Sequence, residues 1–427
     1  MGVRRGSLSF TRFRVTGIVP KDLRKRYLEA VQLRTFAPLD VNGEATEASG
    51  WCVLERPFDL EFDASKLFYD RFVLLGFRVD KWRVPGPLIK AHVEDEEQRL
   101  LGKSGRERLG RAERADLKSK VTMRLRRKIM PTAKLFDVAW DLDGETLLFF
   151  CHSAKLILDF SALFETTFGL SLVEDSPYAA AMRANLPSAL QKRLMQLDPM
   201  SLVDGHRRLA QARKGSTAKV EAPVVSDTKT RTPTAPEDLL ERIETTRFLG
   251  AEFLLWIWLY GALVEEVVSL GKLGEWSVWL EGALALKSVF DPAECVSVRG
   301  AAPGTSAEAR EAVKAYKFPT RAKVLLRQDP RDFRFVLNAD RFSISSGDIP
   351  AVLTEESDDA FLDRMHLVDE LLTLIDRLFA TFLHFRLAPV WAEAWEPAVA
   401  AWTEESRTPA SILQTLLKAA KSLGKKQ

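Results

Sequence analysis

Cysteine, histidine and long apolar runs are scarce in this 427-residue chain. The three cysteines Cys52, Cys151 and Cys295 lie far apart, and no secretory leader follows the first residues, so we expect a cytoplasmic protein. The five histidines are scattered, and none stands at metal-ligand spacing from a cysteine or another histidine. The sequence therefore predicts no metal centre built from these residues.

One apolar stretch, residues 253–264, invites comparison with a membrane helix. Glu252 precedes it and Glu265 follows it, which leaves it shorter than the roughly 20 apolar residues that a helix needs to cross a bilayer. We therefore predict a helix buried in a core or at a subunit interface, and no membrane partner.

Catalytic motifs are also missing. Residues 102–104 read Gly-Lys-Ser like the end of a phosphate-binding loop, but Glu97 stands where that loop needs its first glycine. No G-x-S-x-G elbow marks a serine nucleophile. Asp137, Asp141 and Asp143 lie close together and leave a Mg²⁺-dependent nuclease open as an alternative. Our main expectation is a protein that is not an enzyme and has no cofactor.

What the chain does contain is the apolar patterning of an α+β fold. Net charge is only +3, so any argument about a polyanionic partner depends on where the charges lie. The patterning predicts five segments: an N-terminal α+β part at 1–86, a basic helical finger at 87–130, a β-β-α-β part at 131–204, a flexible linker or loop at 205–236, and a C-terminal α+β part at 237–427 with a long helix at 360–387.

Two of these segments make specific predictions. Strands at 136–142 and 146–151 should form a hairpin through Asp143-Gly144, a dipeptide that favours tight turns. A helix should follow and end at Gly169. Near the other end of the chain, residues 322–327 and 333–337 alternate as paired strands.

The finger carries the strongest functional signal. Two charged helices, at 88–101 and 109–129, have too few apolar positions to lie flat on a core, so we predict that they project as a hairpin. Residues 99–134 include thirteen lysines and arginines but only three carboxylates, which gives this segment a net charge of +10. The predicted DNA-binding residues are Arg106, Arg108, Arg111, Arg114, Lys118, Lys120, Arg124, Arg126, Arg127 and Lys128.

Phosphate neutralisation needs many cations on one surface and no particular motif. We interpret the finger as such a surface because we expect it to lack the carboxylates that a merely solvated helix carries at i,i+4. The predicted function is sequence-nonspecific binding of double-stranded DNA. The alternatives are a solvated hairpin without a ligand, and a protein-interaction module in which residues 253–264 and the finger engage a partner protein.

Several segments, taken in order, resemble the RdgC family of recombination-associated proteins. The resemblance is carried by Ser49-Gly50-Trp51, Pro87-Leu88-Ile89-Lys90, Met130-Pro131, Val138-Ala139-Trp140-Asp141, Ser153-Ala154-Lys155 and the helix at 361–383. It implies a horseshoe-shaped α+β monomer with mixed sheets that pairs into a ring-forming homodimer. It also implies a nucleoid-associated protein that holds duplex DNA in the ring and restrains RecA-dependent recombination.

One feature of the family does not carry over. Compact members have Pro-Arg-Ala-Phe at the foot of the finger, whereas this chain reads Pro131-Thr132-Ala133-Lys134. A role that depends on that phenylalanine is therefore not expected here, while the basic residues between Arg106 and Lys128 fit the DNA-binding role without it.

Overall fold

The chain forms two compact units, one of residues 13–173 and one of residues 1–12 and 174–427. The computed structural model describes residues 2–40, 43, 45–213, 243, 246–288, 291, 293–300, 305–352 and 357–426. Both units combine helices with antiparallel strands, so the predicted α+β class is confirmed.

The smaller unit, residues 13–173, holds the basic hairpin. Its strands are the last part of β1 (Leu8–Thr16), β2 (Glu47–Cys52), β3 (Phe68–Tyr69), β4 (Phe72–Lys81), β5 (Thr132–Asp141), β6 (Thr146–Phe149) and the start of β7 (Ser171–Glu174). Its helices are α1 (Leu23–Gln32), α2 (Ala64–Leu67), α3 (Gly86–Ser104), α4 (Arg111–Arg126) and α5 (Ala154–Phe168).

Strand β4 is the centre of this unit's sheet. It pairs antiparallel with β2 and β5, and β5 pairs with β6. The register places Phe77 opposite both Trp51 and Phe136. Helices α3 and α4 are inserted between β4 and β5, so the hairpin begins and ends on two neighbouring strands of the sheet.

Aromatic side chains fill the core between this sheet and α5. Phe149 and Phe160 stack with their ring centroids 4.1 Å apart, and Trp51 meets Phe160 edge-on. The Trp51 indole donates a hydrogen bond of 2.9 Å to the hydroxyl of Thr167. Gly169 ends α5 in the left-handed conformation at φ 66°, as the sequence predicts.

The hairpin of β5 and β6 confirms the predicted strand pair. The turn is stabilised by Asp141 rather than by Asp143, because the Asp141 carboxylate accepts the backbone N–H groups of Asp143 and Gly144 at 3.0 and 3.1 Å. Asp141 also forms an ion pair of 3.1 Å with Arg71.

The larger unit, residues 1–12 and 174–427, contains the remaining elements. Its other strands are β8 (Val267–Ser269), β9 (Glu275–Ser288), β10 (Cys295–Arg299), β11 (Lys317–Gln328), β12 (Arg331–Asn338) and β13 (Ser343–Asp348). Its helices are α6 (Pro177–Arg183), α7 (Ser188–Leu194), α8 (Leu202–Arg213), α9 (Phe248–Leu263), α10 (Ala307–Lys314), α11 (Ser357–Arg386), α12 (Glu396–Thr403) and α13 (Ala410–Lys426), with a 3-10 turn at Gly271–Leu273 and a π-helical turn at Trp391–Trp395.

The sheet of this unit runs in the order β10, β9, β11, β12, β13 and the start of β1, with neighbours antiparallel. Alternation decides its buried face, since Val324, Leu326 and Phe333 are fully covered while Lys323 and Arg327 lie on the opposite face. The predicted pair at 322–327 and 333–337 is confirmed, and so is the long C-terminal helix.

Helix α9 is the buried helix that the apolar stretch predicts. Phe253 and Trp256 pack against Phe382, and Glu252 is fully buried with its carboxylate 2.5 Å from the Arg386 guanidinium. None of the helices in the described ranges has the length and apolar content needed to cross a membrane.

The structure differs from the predicted linker at 205–236. Helix α8 continues to Arg213 because Leu202, Gly205 and Leu209 are buried, and the backbone of Gly205 packs closely against the carbonyl of Glu396. The glycine at 205 permits this close approach instead of starting a loop. Residues 214–236 lie outside the described residues.

Candidate nucleic-acid interface

The basic segment folds as two helices joined by a short loop. The predicted helices at 88–101 and 109–129 are confirmed as α3 (Gly86–Ser104) and α4 (Arg111–Arg126). Gly105 ends α3 at φ 65°, and its N–H bonds to the carbonyl of Leu101. The projection of this hairpin as a finger stays a prediction.

A small apolar cluster holds the two helices together. Val93 of α3 packs with Leu117, Val121 and Leu125 of α4, and each of these side chains is at most 7% exposed. Leucine and valine at i, i+4 and i+8 place this stripe on one face of α4, which leaves most of the helix surface to polar side chains. The basic surface therefore rests on a core of its own.

Ion pairs neutralise part of the hairpin's positive charge, so the expectation that the hairpin lacks compensating carboxylates is wrong. Glu97 pairs with Arg114 at 3.1 Å, and Glu96 lies 3.7 Å from Arg124. Within α4, Asp116 pairs with Lys120 at 2.7 Å, an i,i+4 contact. The compensating carboxylates are therefore present.

The acidic run Glu94–Asp95–Glu96–Glu97 explains the discrepancy. It precedes Arg99 in the sequence, so a charge count that starts at Arg99 leaves it out. Over residues 86–128 the hairpin has thirteen cations and seven carboxylates, a net charge of +6. The signal that shows these partners is a cluster of acidic residues on the first helix of a two-helix hairpin.

Nine of the ten predicted DNA-binding residues divide into two groups by their ion pairs. All are exposed except Arg126, which is half-buried. Four form ion pairs, namely Arg106 with Glu113, Arg114 with Glu97, Lys120 with Asp116 and Arg124 with Glu96. Five form no ion pair with any residue that the structure describes, namely Arg108, Arg111, Lys118, Arg126 and Lys128. Arg127 is exposed at the end of α4.

Glu113 illustrates how the paired carboxylates are engaged. It accepts the backbone N–H of Gly110 at 2.9 Å and caps the start of α4, while Arg106 donates to its other oxygen at 3.0 Å. These bonds, the backbone bond first, hold the pKa of Glu113 below its usual range. Arg106 therefore contributes to the helix cap.

Of the three aspartates considered for a nuclease, Asp141 has a structural role. Asp141 serves the β5–β6 turn and Arg71, as described above. In the part of the chain that the structure describes, no group of three or more His, Cys, Asp or Glu side chains is placed to hold a metal ion.

Three aromatic residues of α9, Phe253, Trp256 and Tyr260, lie in the interior of the larger unit. Trp256 is 1% exposed and Phe253 is fully buried. A partner protein docking on residues 253–264, as the protein-interaction alternative supposes, would meet few of these side chains.

A comparison of the chain with models of known protein families finds no match, and neither does a comparison with curated proteins.

Proposed function

We propose that this protein binds double-stranded DNA through the α3–α4 hairpin, by contacts to phosphates and without reading base sequence. The observation that carries the proposal is the group of exposed hairpin cations that form no ion pair within the described residues, of which Arg111 and Lys118 are examples. Such cations keep their full charge for a polyanion, and a polyanion with closely spaced phosphates is the ligand that benefits most from several of them.

The chemistry of the hairpin favours phosphates over bases. Lysine and arginine on an exposed helix can contact phosphate oxygens from many directions, whereas base reading needs side chains held in fixed bidentate geometry at the groove floor. Of the unpaired group, only Arg126 is partly buried. We therefore expect binding to depend on the number of phosphates and to be insensitive to base sequence.

The resemblance to the RdgC family supports a second, finer proposal. The protein forms a homodimer that closes as a ring around the duplex and restrains RecA-dependent strand exchange by occupying the template. No covalent chemistry is part of this proposal.

The test of DNA binding compares unrelated duplexes of equal length. Fluorescence anisotropy at about 50 mM salt should give dissociation constants that agree within a few-fold for AT-rich, GC-rich and mixed sequences. A preference of 10³-fold or more for one sequence would show base reading and would contradict the proposal.

The ring has its own test. The mass of the free protein in solution should be that of a dimer, and the complex on a closed circle should survive dilution longer than the complex on a linear duplex with free ends. Equal lifetimes on both DNA forms would contradict encirclement and leave the DNA-binding proposal standing. Addition of the protein before RecA should slow strand exchange, and an unchanged rate would contradict the recombination role.

A further inference from the structure

The two flanks of α4 differ in how their cations are neutralised. At about 100° per residue, Lys118, Arg111 and Arg126 lie roughly 60°, 80° and 140° to one side of Val121, the centre of the buried stripe. Arg124 and Lys120 lie about 60° and 100° to the other side. We call these the open flank and the paired flank.

The carboxylates of α4 all fall on the paired flank. Glu113 and Asp116 lie about 80° and 140° from Val121 on that side, next to Lys120 and Arg124. From α3, Glu96 reaches Arg124, so the paired flank is neutralised from both helices.

The open flank carries no carboxylate of α4. The residues between its cations are Ala115, Ser119 and Thr122, whose short side chains leave room for a broad ligand beside the cations. The Thr122 hydroxyl donates a hydrogen bond of 2.7 Å to the backbone carbonyl of Lys118, so its proton is already engaged within the helix. Arg111, Lys118 and Arg126 form no ion pair among the described residues.

Arg114 shows that the sorting depends on contacts and not on sequence position. It lies between Arg111 and Lys118 in the chain, yet it points about 20° from Val121, toward α3, where Glu97 holds it at 3.1 Å. The Glu97 side chain is 16% exposed, so this pair is a contact between the helices of the hairpin. We count Arg114 with the paired residues.

We infer that the open flank of α4, formed by Arg111, Lys118 and Arg126, is the surface that contacts duplex phosphates, and that Arg114, Lys120 and Arg124 stabilise the hairpin instead. This inference rests on the proposed function and names its contact residues. The three open-flank residues are spaced by seven and eight positions, about 10 and 12 Å along the helix, which suits contacts to separate phosphates rather than to a single one.

The size of the effect follows from counterion release. Three phosphate contacts contribute about −2.7 to the slope of log K against log salt concentration, at about −0.9 for each contact. Between 50 and 200 mM salt that slope amounts to a decrease of about 40-fold in affinity. Removing the three cations should remove this part of the salt dependence.

The chain offers a matched pair of variants. The open-flank variant is Arg111→Gln/Lys118→Gln/Arg126→Gln. The control is Arg114→Gln/Lys120→Gln/Arg124→Gln, which removes two arginines and one lysine from the same helix and changes the net charge equally. Circular dichroism checks that both keep their helix content. Duplex binding is then measured by anisotropy from 50 to 200 mM salt.

For each protomer, we expect the open-flank variant to lose about 2.7 from the slope and the control to lose less than about 1. An equal loss in both variants, or a loss in the control alone, would overturn the assignment of the open flank while duplex binding stands. Unchanged binding in both variants would overturn the assignment and move the contact off α4. A wild-type protein that binds no duplex at 50 mM salt would instead contradict the proposed function.

Discussion

Glu396, at the start of α12 (Glu396–Thr403), gives this protein a pH-dependent stability that can be worked out from its surroundings. Its side chain is only 9% exposed, and the nearest charged partner is Arg208, at 3.6 Å. Burial raises the pKa of Glu396 to about 7, and the attraction of Arg386 and Arg208 offsets this only in part. Between about pH 4.5 and 7 the folded protein therefore keeps a proton that the unfolded chain releases.

That proton determines the direction in which the unfolding free energy changes with pH. A carboxyl group with a raised pKa stabilises the fold most below about pH 4.5, and the contribution is lost as the pH rises toward 7. A shift from 4.5 to about 7 corresponds to about 3 kcal/mol. Glu396→Gln is uncharged at every pH, so we expect it to match the wild type within about 1 kcal/mol at pH 5 and to exceed its unfolding free energy by about 3 kcal/mol at pH 8.5.

Urea denaturation at pH 5 and pH 8.5, followed by tryptophan fluorescence, measures this difference. The matched control is Glu393→Gln, which removes an exposed carboxylate from the neighbouring π-helical turn and should change stability by no more than about 0.5 kcal/mol at either pH. A gap between wild type and Glu396→Gln that is the same at both pH values would refute the reasoning, and so would a wild type that is more stable than the variant at pH 8.5.

Three other substitutions test the packing. Thr167→Val leaves the buried indole N–H of Trp51 without its partner and should lower the unfolding free energy by about 1–3 kcal/mol; no loss in urea denaturation would contradict this. Glu252→Ala leaves Arg386 buried without its carboxylate and should lower the unfolding free energy by about 3–5 kcal/mol in the same assay. A decrease of less than about 1 kcal/mol would contradict this. Leu117→Ala should speed hydrogen exchange of α3 and α4 amides about 30-fold, equivalent to about 2 kcal/mol, and spare β4, because the hairpin has its own apolar cluster. Equal acceleration in β4 would argue against that independence.

Local patterning predicted the regular elements well, because each is determined by residues close together in the sequence. Alternation identified β11 (Lys317–Gln328) and β12 (Arg331–Asn338), and helical spacing identified α5 (Ala154–Phe168) with its terminal glycine, Gly169. The predicted hairpin turn was correct in place, although Asp141 rather than Asp143 makes its hydrogen bonds.

Contacts between helices and strands could not be predicted from the composition of the sequence. The pairs of Glu97 with Arg114 and Glu96 with Arg124 depend on how α3 and α4 pack, so a count along the chain overstated the available charge. Arg12 shows the same limit. In the sequence it lies near the other N-terminal arginines Arg5 and Arg14, yet it is buried in an ion-pair network with Asp175 and with Asp376, 2.6 Å away. The helical continuation of α8 to Arg213 likewise depends on its packing against α12.

The salt dependence of duplex binding by the wild-type protein tests the central claim most directly. Six hairpin cations form no ion pair with a described residue, namely Lys103, Arg108, Arg111, Lys118, Arg126 and Lys128. With three to six phosphate contacts on each hairpin, each protomer should contribute between about −2.7 and −5.4 to the slope of log K against log salt concentration. A slope in that range per protomer, equal for unrelated sequences, is the result we predict. A slope near zero, or no binding at 50 mM salt, would contradict phosphate-directed DNA binding by this protein.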